Sequence, residues 1–168
     1  MTGGSGTPGA TPHFALQERG YKGPIYSSHA IINDDFIKVG GSAVEGVIAP
    51  TGPIIVAEQL PVGSPTREIS FKYREVFQKT HNEPANDANA GYAFDGWLIL
   101  ADAAKRAALR AKPGTAEFRT ALRDAMITTR DLVGVHGVYN FKPGELYGVD
   151  ERARAMVRLE GGKWKLLP

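Results

Sequence analysis

The sequence predicts an α/β protein with largely parallel sheets, and three observations predict it. Strand and helix signals alternate through the first half of the chain. Two long helical patterns follow one another in the second half. Near the end, Gly161-Gly162 joins two β-like runs as a two-residue hairpin turn, an antiparallel addition to the sheet.

Taken in order, Gly3, Gly4, Gly6 and Gly9 crowd the start together with Pro8 and Pro12, so the chain is expected to open on a loop. Thr11 is placed to cap a short helix with Pro12 at its first position, where a missing N–H costs nothing, and Gly20 stops it. Residues 23–28 (GPIYSS) read as a short strand. Asn33 or Asp34 caps a turn of helix through Phe36 and Val39 that ends at Gly40-Gly41. Residues 44–48 and 54–57 are apolar runs expected to be strands or extended crossing segments. Ser64-Pro65 repeats the cap-and-proline start, and Ile69, Tyr73, Val76 and Phe77 keep helical spacing to about Thr80.

Residues 81–90 are polar and read as a loop. Phe94, Trp97, Leu98, Ala101, Ala104 and Ala108 then form one stripe of a long helix, and Thr115 starts another with Phe118, Ala121, Leu122 and Ala125 on its apolar face. Residues 135–141, 153–160 and 163–167 carry β signals. An α/β sheet ordinarily opens with a strand, and Met1-Thr2 leaves no room for one. The opening strand is therefore expected to lie outside this chain.

Composition narrows the function classes. A chain of 168 residues, 42% hydrophobic and 23% charged, sits in the globular range and away from collagen, coiled coil, membrane bundle and disordered tail. Twenty basic against eighteen acidic residues leave a net charge of +2 with no one-sided basic cluster, which argues against a nucleic-acid partner. The absence of cysteine excludes disulfides, thiolate zinc sites and cysteine nucleophiles. No apolar run approaches the ~20 residues of a membrane span, and no basic-then-apolar signal peptide opens the chain.

Several residues are candidates for chemistry. Gly4 to Gly9 spells G-x-G-x-x-G, but neither the preceding strand nor the acidic residue about 20 positions on that a dinucleotide site needs is present. Ser5, Gly6 and Thr7 still offer hydroxyls and backbone N–H groups ahead of a helix, suited to an anionic or carbonyl group; the bland reading is a solvated turn. The four histidines share no metal-ligand spacing, so no metal and no cofactor is expected. Ser28-His29 lacks a nucleophile elbow, and neighbouring side chains on a strand face opposite ways, so no enzyme is expected. His29, at the end of a strand, can line a cleft. Glu45 lies inside an apolar run and, if buried, must meet a cation, which a ligand ammonium group would supply; the alternative is a strand-end carboxylate facing water. Asn89 and Tyr92 combine hydrogen bonding with aromatic surface at a helix entry, where capping and core packing would also explain them.

The ordered series GSGTPGATPHFALQERGYKGPIYSSHAIINDDFIKVGGSAVEGVIAP, AGYAFDGWLILADAA, PGTAEFRTALRDAM, LVGVHGVYNF and GVDERARAMVRLEGGKWKLL resembles the C-terminal half of the periplasmic branched-chain amino-acid binding proteins. These are the type I substrate-binding proteins of ABC transporters. The resemblance implies portions of two Rossmann-like lobes with a ligand cleft between them: residues 1–56 in the second lobe, 57–152 in the first, and a hairpin at 153–168 returning to the second. It implies a periplasmic solute-binding component, or its C-terminal fragment, that captures a branched-chain amino acid or a related small carboxylate or aromatic acid and delivers it to an ABC permease.

By the same resemblance Glu45 matches an acidic residue that meets a ligand ammonium group. Ser5, Gly6 and Thr7 fall where the family carries a ligand-contacting aromatic, and Asn89 and Tyr92 shape the opposite wall. The alternatives are a truncated remnant without independent ligand binding, a homodimer through truncated or swapped lobes, and a ligand-sensing domain of the same fold.

Overall fold

In a computed structural model, residues 4–85, 88–145 and 147–168 are described. The glycine-rich opening is helical from Gly6: helix α1 spans Gly6–Glu18, with Pro12 inside it. The expected start at Thr11 is thus several residues late. The small residues are what permit it, because Gly9, Ala10 and His13 form the buried face, and a β-carbon on Gly9 would lie 3.3 Å from Ile31. Gly20 ends the helix as expected. At φ +68° it places its own N–H on the Gln17 carbonyl and that of Tyr21 on Leu16, a paired closure of the last turn.

The segment around residues 23–28 contributes a parallel bridge, Tyr26 to Ile48. The Asn33 side chain accepts from the Phe36 N–H at 2.9 Å and caps α2, Asp34–Gly40, which stops at Gly41 with φ +50°. The strand expected over 44–48 is mostly not one. Gly41–Val44 is a 3-10 turn, Glu45 is exposed, and β1 begins only at Ile48 and ends at Thr51. Residues 54–57 are likewise not extended but part of a 3-10 segment, Pro53–Gln59, kinked at Val56. Its winding lets Ile54 and Val56 face different cores.

Helix α3 spans Pro65–His81 and closes on Asn82 in the left-handed region, φ +54°. Helix α4, Ala88–Ala108, begins inside the segment expected to be a loop, of which Asn86 and Asp87 fall outside the described residues. Its buried face is Ala88, Gly91, Asp95, Ile99, Ala103 and Ala107, rotated from the predicted stripe, and Trp97 is 61% exposed. Helix α5, Ala116–Met126, starts as expected with Thr115 accepting from the Phe118 N–H. Strands β2, Leu132–Val133, and β3, Val138–Tyr139, form a small hairpin whose turn is 134–137, so residues 135–137 of the expected strand lie in that turn. Strands β4, Ala155–Glu160, and β5, Lys163–Leu166, form the predicted hairpin. Gly161 and Gly162 sit at φ +59° and +71° in its turn, as a two-residue turn matched to strand twist requires.

Among the described residues the larger sheet has the order β1-β4-β5 with antiparallel ladders, and its parallel component is the Tyr26–Ile48 bridge. Two hydrophobic clusters organise the chain. The first joins Ile31, Phe36, Val44, Val47 and Val56 to Val157 and Leu159 from β4. The second joins Ile54, Tyr73, Ala85 and Val135, with Phe77 and Phe94 packed on it. Full burial of side chains the size of Phe36 and Leu159 stabilises by roughly 1.5–3 kcal/mol each. The chain passes from the first cluster to the second through the Pro53–Gln59 segment, whose Ile54 and Val56 serve different clusters, and returns before Ala155. Gln59 ties the connecting segment to the sheet edge: its side chain donates to the Trp164 carbonyl and accepts from the Leu166 N–H, both at 2.9 Å, as a neighbouring strand would.

Candidate functional site: a cleft between the two clusters

A cavity of about 340 Å³ lies where the chain crosses between the clusters. His29, Pro50 and Thr51 come from the first-cluster side. Tyr92, His136 and Tyr139 come from the second, and Tyr147, Val149, Ala153 and Arg154 from the returning segment. Thr51 stands here because it is the last residue of β1, and Arg154 because it directly precedes β4.

The wall is aromatic. The Tyr92 ring stacks on His136 with centroids 3.6 Å apart and planes 7° from parallel, and His29 meets Tyr92 edge-on at 5.6 Å. His136 Nε2 lies 2.9 Å from the Ala88 carbonyl, which only accepts, so Nε2 carries the proton and Nδ1 is bare. Burial pushes the His136 imidazole down to about 4, so it is neutral at physiological pH.

Beneath this wall Asp95, 1% exposed, is the centre of a convergent network. Its Oδ1 accepts from the Val135 N–H at 2.7 Å. Its Oδ2 accepts from the His136 N–H at 2.9 Å and from the Tyr139 hydroxyl at 2.8 Å. Burial raises the Asp95 carboxyl, and these three donors oppose that rise. Burial also raises Tyr139, and the neighbouring Asp95 charge raises it further.

The polar groups facing the cavity are few. The Thr51 hydroxyl is buried and makes no hydrogen bond to a described residue. Arg154 is exposed and forms no ion pair with a described residue. None of the described lining residues carries a carboxylate. Among the described residues no cluster could hold a metal ion.

Of the residues singled out in the sequence, the structure brings His29 and Tyr92 together in the cleft. It places the others elsewhere. Ser5 precedes α1, and Gly6 lies near Asn33 and Asp35 at the start of α2. Thr7 is in the first turn of α1, and Asn89 is in the first turn of α4 and exposed. Glu45 is neither in a strand nor buried. Its carboxylate accepts from the Gly161 N–H at 2.9 Å and the Gly162 N–H at 2.8 Å, pinning the β4–β5 turn from a site far along the chain. Two orphan backbone donors in a glycine turn are its partner, and no cation is required. Glu45→Ala is expected to destabilise by about 1 kcal/mol and to speed amide exchange at Gly161 and Gly162; unchanged exchange there would show the contact to be dispensable.

The sequence reading missed Thr51, His136, Tyr139 and Arg154. A signal for one support was present: Asp95 interrupts an otherwise apolar helix face, as Glu45 interrupts an apolar run.

The buried histidine sets a pH dependence. A His whose folded pKa lies below its unfolded value binds its proton less readily when folded, so stability is fully present above pH ~6.5 and is lost as pH falls towards about 4. Over that window His136 accounts for about 3 kcal/mol, and His13, also lowered by burial, acts in the same direction. Asp95, raised by burial, opposes the trend at the acidic end. Urea midpoints should fall from pH 7 to pH 4.5 in the wild type and fall less in His136→Gln; equal slopes would contradict the assignment.

The arrangement can be compared with solved structures. The crystal structure of an extracellular ligand-binding receptor from Rhodopseudomonas palustris HaA2 superposes with a TM-score of 0.89 at 34% sequence identity, over 98% of this chain and 46% of that one. Over nearly its whole length the chain is similar to part of an extracellular ligand-binding receptor. A second receptor structure from the same strain gives 0.90 at 33% identity over the same shares. A branched-chain amino acid ABC transporter protein from Thermus thermophilus, solved with bound valine, shares the fold at 19% identity with a TM-score of 0.68, over 98% of this chain and 43% of that one.

The fold is therefore the type I periplasmic-binding-protein fold, and the relatives are binding proteins rather than enzymes. The chain spans about half the length of the receptors it matches, a C-terminal half. No family model and no curated protein matches it. No described helix is long and apolar enough to cross a membrane.

Proposed function

We propose that the chain contributes the cleft of a solute-binding protein of an ABC importer, working in the periplasm, and that the solute is a small carboxylate with a planar or otherwise apolar body. The observation that carries this reading is the composition of the cleft: a Tyr92–His136 stack, a buried Thr51 hydroxyl, and Arg154 with no described carboxylate beside it. Arg154 would meet the ligand carboxylate, since a guanidinium matches its geometry. The stacked rings would cover the apolar body. An α-amino acid is less suited, because its ammonium group would need an acidic partner and Glu45 is engaged in the hairpin turn.

The two clusters would belong to two lobes, with residues 1–56 and 153–168 in one and 57–152 in the other, and closure of the lobes would trap the ligand. Thermal-shift titration with benzoate, hexanoate and leucine tests this reading. Benzoate should raise the melting temperature most, and Arg154→Gln should remove the effect. A larger shift from leucine, or none from any acid, would overturn it.

A second reading is favoured by a separate observation, the coverage of about half of each receptor. An apolar groove of about 430 Å³ between α4 and α5, lined by Ile99, Leu122, Met126 and Phe141 with Arg119 and Arg123 at its rim, would then be a seam against the remainder of a receptor-length protein. On this reading the chain alone binds nothing. Repeating the titration with the chain co-expressed with the unmatched half of a receptor relative separates the two, and a homodimer in sedimentation would instead point to self-association through that groove.

A further inference from the structure

We infer that Asp95, which does not line the cleft, sets the direction of the hydrogen bond that the cleft offers to its ligand, by taking the only proton of Tyr139. This rests on the reading of the cleft as a carboxylate site. The carboxylate of Asp95 has three partners, the Val135 N–H, the His136 N–H and the Tyr139 O–H. Two are backbone groups that can only donate. A carboxylic acid proton could point only at the Tyr139 oxygen, whereas the two backbone N–H groups, one on each carboxylate oxygen, favour the ionised form, which accepts from all three. The Tyr139 hydroxyl has one proton and is committed to Asp95 Oδ2 at 2.8 Å. Its oxygen keeps lone pairs, and Tyr139 lines the cavity. The phenol therefore presents an acceptor to the cleft and cannot present a donor.

The same network makes this polarity hard to reverse. Asp95 is 1% exposed, and each of its oxygens accepts from a backbone N–H, so turning away would leave both donors unpaired. The cavity thereby has a pure donor in Arg154 and a pure acceptor in Tyr139, beside the Thr51 hydroxyl, which can serve either way. Such a cleft selects a carboxylate that carries a hydrogen-bond donor elsewhere on its body. Where that group sits against Tyr139, the matching compound that can only accept is disfavoured, because two acceptors would then face each other away from water.

The test compares 4-(hydroxymethyl)benzoate with 4-formylbenzoate, nearly equal in shape but differing in the donor. Calorimetry on the wild-type chain should show the hydroxymethyl compound binding roughly tenfold tighter. Tyr139→Phe, which leaves Asp95 its two backbone donors, should bring the ratio close to one. Asp95→Asn, whose amide can donate to the Tyr139 oxygen and release its proton, should lower or reverse it. A wild-type ratio near one, or a preference surviving in Tyr139→Phe, overturns the inference while leaving the carboxylate reading intact. Binding of neither compound overturns the carboxylate reading itself.

A ligand-free measurement judges the proton separately. In wild-type chain labelled at tyrosine Cζ, the Tyr139 resonance should move as Asp95 titrates. A resonance that stays still there places the proton elsewhere and overturns the inference, whether or not Asp95→Asn folds.

Discussion

Gly52→Ala is expected to destabilise the chain by about 3 kcal/mol, at the upper end of overpacking substitutions. A β-carbon at Gly52 would lie 1.7 Å from His136 Nδ1 and 2.4 Å from Cε1. The imidazole cannot simply swing aside. Its Nε2 is bonded to the Ala88 carbonyl, its face is stacked on Tyr92, and a β-carbon position on Gly91 lies 2.8 Å from Nε2 on the helix side. Either the hydrogen bond and the stack break, or the crossing segment after β1 shifts and the two clusters separate. A domain of this size loses roughly 2–4 °C of melting temperature per kcal/mol, so a fall of about 6–12 °C is expected. The denaturant midpoint, read at constant m-value, measures it. A change within about 0.5 kcal/mol, the range of an ordinary surface substitution, would show that His136 leaves its site freely.

Asp95→Ala is expected to cost about 4 kcal/mol. Removing the carboxylate leaves the buried Val135 and His136 N–H groups and the Tyr139 hydroxyl without their acceptor, and each orphaned group costs about 1–3 kcal/mol. The loss should be local before it is global. Exchange of the Val135 and His136 amides should quicken even under conditions where β4 and β5 stay protected. Asp95→Asn should recover part of the stability, since one carbonyl oxygen remains to accept. Protected amides at Val135 and His136 in the alanine variant would show that another group, or water, satisfies them.

These two residues also show which inferences a sequence supports. Helix ends were legible wherever a local rule sufficed: Asn33 before Phe36, Thr115 before Phe118, and Gly20, whose positive φ closes α1. The hairpin at Gly161-Gly162 was legible for the same reason, because a two-residue turn needs residues that accept positive φ at both positions. The face of α4 was not. Large apolar side chains suggested a stripe through Trp97, but the buried face is mostly small residues with Asp95 and Ile99, and Gly91 and Asp95 lie close against the 134–137 turn. Size predicts burial only when nothing smaller has a better partner.

Glu45 shows the same limit at the site itself. A carboxylate in an apolar run predicts a cationic partner if it is buried, but Glu45 is exposed and accepts from a pair of backbone N–H groups 116 and 117 residues away. No local pattern announces a contact of that range.

By itself, then, the sequence determined the α/β class, most helix boundaries, the terminal hairpin and the likeness to two-lobed receptors, because these depend on neighbours a few residues apart. Only the tertiary structure decided where the cleft lies. It is assembled from the end of β1, the first turns of α4, the turn after β2 and the residue before β4, segments that converge only when both clusters have formed. It also decided that Glu45 serves the fold, and that Asp95 holds the wall of the cleft.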